Sequence, residues 1–122
     1  MSWYYHQSSG NLYNPNGILI AVGYSGKGSG KNVPNMADVP NVGPIPCGAY
    51  TINPPIDSPT HGPFAMPLVP NDWNEMFGRS GFMIHGDSME SPGTASKGCI
   101  VMPRVAREAI WNSLDRALIV VV

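Results

Sequence analysis

Charge is scarce in this sequence. Only 12% of its 122 residues are charged, and 7 basic side chains against 8 acidic ones leave a formal net charge of −1. A soluble protein ordinarily carries about twice that share. Without a basic cluster, the electrostatic footprint of a nucleic-acid binder is missing, as is that of a protein held on an anionic membrane. Long apolar runs are missing too: Ile18–Val22 and Ala117–Val122 fall far short of the roughly 20 residues a membrane-spanning helix needs, so no membrane insertion is expected. Cysteine is limited to Cys47 and Cys99, too few for a disulfide framework. The opening residues Met1-Ser2-Trp3-Tyr4-Tyr5-His6-Gln7 have neither the basic nor the apolar part of a secretory signal. Synthesis in the cytoplasm with free thiols is therefore expected.

Glycine and proline, at 14 and 13 residues, are abundant and point to β-structure with long loops. Short apolar runs bounded by turn residues predict strands at Trp3–Gln7 (continued briefly at Leu12-Tyr13), Ile18–Tyr24, Gly48–Ile52, Phe64–Val69, Gly81–His85, Cys99–Met102 and Ala117–Val122. The near-continuous run Ile18–Tyr24 reads as buried on both faces, whereas Pro67 and Pro70 assign Phe64–Val69 to a sheet edge. Pro103 suits the first turn of a helix to about Leu114, with Val105, Ala106, Ala109, Ile110 and Leu114 as its apolar stripe. Residues 25–46 have no periodic pattern and read as a flexible lid. The expectation is one domain, residues 1–122, mainly β, with six to seven strands and one helix in the C-terminal half. A chain of this length can bury about two-thirds of its unfolded surface.

Several motifs fail on inspection. Gly26-Lys27-Gly28-Ser29-Gly30-Lys31 resembles a phosphate loop, but Ser25 and Asn32 stand where that motif needs glycine and Ser or Thr. No common structural-zinc spacing occurs, and His85-x-Asp87 is at most a fragment of one, so neither metal nor cofactor is expected. His6 and His61 receive no chemistry. Cys47, in a rigid turn, reads as a small buried thiol, with an oxidative bridge to Cys99 as the alternative.

Two stretches carry chemistry. Gly81-Phe82-Met83-Ile84-His85-Gly86-Asp87-Ser88 delivers a histidine to a strand end. Ala95-Ser96-Lys97-Gly98-Cys99-Ile100-Val101-Met102 delivers a cysteine to a strand start. A thiol with an imidazole beside it is the minimal kit for nucleophilic catalysis. The Ser96-Lys97-Gly98 turn can aim a backbone N–H into the same cavity, and Lys97 adds positive charge that favours thiolate.

His-Gly followed by Ser-x-Gly-Cys resembles the signature of the L,D-transpeptidase (YkuD-like) catalytic domain. Gly43-Pro44-Ile45-Pro46-x-Gly48-x-Tyr50-Thr51-Ile52 resembles that family's Pro-x-Gly-x-Tyr-x-Ile strand. The match runs from about Gly43 to Arg104, and Gly78-Arg79-Ser80 with His85-Gly86-Asp87-Ser88 is most similar to the type VI secretion effectors of that family. The chain departs from the mainstream pattern at Lys97, where His is usual, and at Val101, where Arg or Asn is.

The resemblance implies a small β-sandwich or open barrel. It also implies a peptidoglycan stem peptide as substrate and a Cys99 thioester formed with His85 as base. Gly98 and Ser96 would support the oxyanion, and Gly86 or Asp87 would orient His85, with loop capping an equal alternative for Asp87. Arg79, Lys97, Arg104, Tyr24 and Trp73 are candidate substrate contacts; packing explains Tyr24 and Trp73 as well, and a solvated arginine near a turn is the preferred reading of Arg79 and Arg104. As an effector the protein would act in the periplasm of a target bacterium, delivered by a secretion-machine carrier and neutralised by a cognate immunity protein. Competing readings are a cysteine amidase or endopeptidase of another cell-wall class, and a non-catalytic wall-binding, phage or secretion component.

Overall fold

A computed structural model describes all residues, 1–122. Ten strands build it: β1 (Ser2–His6), β2 (Asn11–Tyr13), β3 (Leu19–Val22), β4 (Tyr24–Ser25), β5 (Gly48–Ile52), β6 (Ile56–Ser58), β7 (Gly62–Pro70), β8 (Met83–His85), β9 (Ile100–Val101) and β10 (Ala117–Val121), with one helix, α1 (Arg104–Asn112). They form one open sheet in the order β3-β2-β1-β10-β5-β7-β8-β9-β4, with β6 added against β7. The mainly β class with one helix and long loops is as the sequence implies; the strand count is higher because several strands are only two or three residues long.

Both chain ends supply the middle of the sheet. β1 runs parallel to β10, Ser2 opposite Ala117 through His6 opposite Val121, and β10 pairs antiparallel with β5. Alternation drives this: Trp3 and Tyr5 on β1, and Leu118 and Val120 on β10, face the core. The core continues through Tyr50, Ile52, Met66, Leu68, Ile84 and Ile100 to Ile110 of α1. Trp3 Nε1–H donates to Ser113 Oγ at 3.0 Å and ties β1 to the end of α1.

Three expectations are corrected. The run Ile18–Tyr24 is not a doubly buried strand. It is cut at Gly23, whose backbone meets the Val101 carbonyl so closely that a Cβ would lie 1.9 Å from it. The two halves, β3 and β4, end at opposite edges of the sheet, and Ile18, Leu19 and Val22 are half-exposed or more. β7 is central rather than marginal, despite its prolines. The Pro67 carbonyl still accepts from Asn53 N–H just beyond β5, so at the end of that ladder proline forfeits only the reciprocal bond. Of the expected helix stripe, Val105 is exposed on α1 and Leu114 is exposed beyond its end; the face that packs is Ala106, Arg107 and Ile110.

Residues 25–46 are strapped down rather than free. They include two short 3-10 turns, Gly28–Gly30 and Pro34–Met36, and Gly43 approaches the Met36 carbonyl too closely for any side chain. The strap is Arg79, described below.

Candidate active site

β8 and β9 are parallel neighbours, with Ile84 opposite Ile100 and His85 opposite Val101. Side chains two residues apart on a strand share a face, so His85 and Cys99 stand diagonally adjacent on one face. Parallel strands need a long crossover, and residues 86–99 supply it as a loop. Asp87 organises that loop: its carboxylate accepts from Tyr24 Oη–H at 2.6 Å, Ser88 N–H at 2.8 Å and Gly93 N–H at 3.1 Å. Burial pushes the Asp87 carboxyl up, but these bonds and nearby Lys31 together hold it below the usual range. The Tyr24 hydroxyl, partly buried and beside that carboxylate, is pushed up to about 12. Asp87 thus caps the loop, and the Gly86 carbonyl holds His85 instead.

The turn before the cysteine is fixed from inside. Ser96 Oγ donates to the Cys99 carbonyl at 2.6 Å and accepts from Gly98 N–H and Gly26 N–H. Ser25 Oγ donates to the Gly98 carbonyl at 2.7 Å. Gly98 N–H is therefore occupied, and the Cys99 N–H, which has no partner in the protein, is the free backbone donor beside the sulfur. Gly98 has φ +137, and a Cβ there would lie 2.4 Å from Arg79 Nη2.

The His85 Nδ1–H donates to the Gly86 carbonyl at 2.8 Å, which fixes the tautomer and leaves Nε2 with a lone pair. That Nε2 is buried and has no hydrogen-bond partner. His61, in the turn between β6 and β7, lies with its ring centroid 4.6 Å from that of His85. Ligand atoms of His61, His85 and Cys99 all lie within 4.8 Å of one another. Three such donors can converge on one thiophilic cation. No sequence spacing announces this set, because the fold assembles it from three separate elements.

Burial lowers the His85 pKa, and the neighbouring His61 and Arg107 lower it further against the Gly86 carbonyl, which raises it. Burial raises the Cys99 thiol, partly countered by the Met83 N–H and Arg79. Both shifts disfavour the charged forms, so burial opposes a resting imidazolium–thiolate pair. The nearby cation acting on the sulfur is Arg79, not Lys97. Cys99 is 9% exposed, and its thiol points to the Gly81 carbonyl, 3.9 Å away. A cleft of about 630 Å³ is lined by His61, His85, Gly86, Asp87, Thr94 and Arg107 among others. Cys99 itself is buried and does not line the cleft.

A thiol and a buried, partnerless imidazole that lines an open cleft, carried on Ser-x-Gly-Cys and His-Gly, narrow the family. The family model of the Tlde1 domain matches residues 20–122. The chain belongs to the Tlde1 domain family. Members are type VI secretion effectors with peptidoglycan-related enzyme activity, acting on target bacteria. No curated protein and no solved structure matches the chain. No helix is long and apolar enough to cross a membrane.

Within this Tlde1 domain the proposed substrate contacts scatter. Arg79 is buried, and its guanidinium donates to the carbonyls of Ala37, Gly43, Pro44 and Lys97, so it is a clamp and not a substrate arm. Arg104 is half-exposed, paired with Glu108 at 3.2 Å and stacked on Phe64. Trp73 is 92% exposed in a turn away from the cleft. Lys97 points to solvent beside a smaller hollow with His61 and Thr94. Tyr24 serves the Asp87 loop. Cys47 is exposed, and both thiols are free. Sequence reasoning missed His61, an isolated loop histidine, and Arg107, one more arginine on a helix. The only signal for Arg107 is its place in the register of Ala106 and Ile110.

Proposed function

We propose that this Tlde1 domain is a cysteine L,D-transpeptidase and L,D-carboxypeptidase acting on the tetrapeptide stems of peptidoglycan. The observation that carries this reading is the His85 ring within 4.8 Å of the Cys99 sulfur, its Nε2 buried without a partner. Catalytic hydrogen bonds are often long before substrate arrives, so the remaining gap is compatible with a working pair.

His85 Nε2 takes the thiol proton as Cys99 Sγ attacks the carbonyl carbon of the third stem residue. The developing oxyanion meets the Cys99 N–H; one such donor contributes on the order of 3 kcal/mol in known hydrolases. Collapse breaks the amide bond, His85 returns the proton to the departing D-alanine amine, and a thioester remains. Water or the amine of another D-amino acid then attacks it. His85 takes a proton from that nucleophile and passes it to the released sulfur. Proton and acyl group are both accounted for, and no cofactor is required.

Delivery by a secretion machine into the periplasm of a competitor, and an immunity protein that occupies the cleft, complete the proposal. Muropeptide profiling tests the chemistry: wild-type protein converts tetrapeptide stems to tripeptides or exchanged stems, and Cys99→Ala does neither. Equal profiles would end the proposal. Expression with and without a periplasmic export signal tests the delivery: the exported form alone should arrest growth.

A further inference from the structure

Arg107 is buried on the inner face of α1 with a guanidinium that is only partly satisfied. Its Nε donates to the Met102 carbonyl at 3.0 Å, and Nη1 to the carbonyls of Pro63 and Phe64 at 2.9 and 3.0 Å. Nη2 has no partner in the protein, and Arg107 lines the same cleft as His85. No carboxylate pairs with it directly; Glu108 acts on its charge from a distance and is itself paired with Arg104. The one ion pair in the molecule is Arg104–Glu108, and Asp87, across the cleft, is already held by Tyr24, Ser88 and Gly93. At 6% exposure, the cation has given up most of its hydration for three neutral carbonyls.

Gly86 explains how the free edge reaches the cleft. A Cβ there would lie 2.8 Å from Arg107 Nη2, so glycine leaves the window through which the guanidinium faces the space beside His85. A buried cation with three donors fixed and its free edge aimed into a cleft is preorganised for an anion.

We infer that Arg107 Nη2, viewed through Gly86, is a carboxylate subsite that binds the free terminal carboxylate of the departing D-amino acid. The inference rests on the proposed stem-peptide reading. In that reading the leaving amine must lie beside His85, and its α-carboxylate is two bonds further on, on the side where Gly86 and Arg107 follow His85. Charge-assisted recognition there makes the domain an exopeptidase: it selects stems ending in a free carboxylate and disfavours extended or capped ones.

Calorimetric titration of the Cys99→Ala protein, which cannot turn over, is the test. The ligands are a tetrapeptide stem with a free C-terminus and the same peptide ending in a carboxamide. The expected result is at least tenfold tighter binding of the carboxylate form. That gap should close in Cys99→Ala/Gly86→Ala, where an added methyl pushes Nη2 aside while the bonds from Nε and Nη1 stay, and in Cys99→Ala/Arg107→Gln. Equal affinity for the two peptides, binding of neither, or a gap that survives in the folded Gly86→Ala variant overturns the subsite. The chemistry fails separately: a full affinity gap with no D-alanine released by active protein would sink the enzyme proposal and leave the subsite standing.

Discussion

Arg79 and Arg107 are both buried, both without an ion pair, and both packed against a glycine of a site motif, yet they do opposite things. Arg79 uses its guanidinium on four backbone carbonyls, three from residues 37–44 and one from Lys97, and so binds the long loop to the cysteine turn. Arg107 stops at three and leaves Nη2 facing the cleft. A buried arginine with both terminal nitrogens fully engaged is part of the scaffold. With one terminal nitrogen unmatched and aimed at open space, it is a binding group. Side-chain type and burial do not distinguish the two; the tally of carbonyls around each guanidinium does.

The sharpest way to break this contrast is to remove the clamp. Arg79→Ala should lower stability by about 3–5 kcal/mol in urea unfolding, since it strands four carbonyls and frees the loop. Arg79→Lys should recover little of this, because an ammonium cannot reach carbonyls in a planar fan. A loss below about 1 kcal/mol would refute the scaffold role.

The paired glycines come next. Gly98→Ala forces a side chain into the left-handed region and onto Arg79 and Phe82, and should destabilise by about 1–3 kcal/mol or more. Gly86 has no such backbone restriction, and the atom its methyl meets is the far end of a side chain. Gly86→Ala should therefore stay within about 1 kcal/mol of wild type while raising KM for free-carboxylate stems. Thermal melts and initial rates on both variants separate the cases.

The two cations also tune different partners: Arg79 lowers the Cys99 thiol, whereas Arg107 lowers the His85 imidazole. A base must be neutral to accept a proton, and depressing its pKa keeps it neutral at lower pH. The acidic limb of kcat/KM should accordingly fall below the ordinary histidine value of about 6.5. In Arg107→Gln that limb should move up towards about 6.5, because a like charge that disfavoured imidazolium is gone. An unmoved limb would remove Arg107 from the electrostatics of the site.

The smallest effect is a control away from both arginines. The Tyr5 hydroxyl is buried without a partner, so Tyr5→Phe should leave stability unchanged or raise it by up to about 1 kcal/mol in the same unfolding assay.

Much of the fold was legible in residue order. β1, β5, β10 and α1 announced themselves through alternation or helical spacing with turn residues at their ends. Placement within the sheet was not legible. The apolar run at Ile18–Tyr24 carried no sign that Gly23 would split it between two edges, and Pro67 gave no hint that it would stand at the end of the ladder with β5. The site divides in the same way. His85, Cys99 and their supporting Ser96 and Gly98 stand in local motifs, whereas His61 and Arg107 belong to no motif and arrive through the β6–β7 turn and the inner face of α1.

Sequence alone determined a mainly β chain with one thiol and one imidazole poised at the ends of two apolar segments, because alternation, turn chemistry and short motifs are properties of neighbouring residues. Tertiary structure decided that the segments are parallel partners, that burial disfavours the charged forms of the pair, and that Arg79 is scaffold while Arg107 faces the cleft. Those outcomes depend on burial and on which distant carbonyls surround each group, and neither is recorded in the order of residues along the chain.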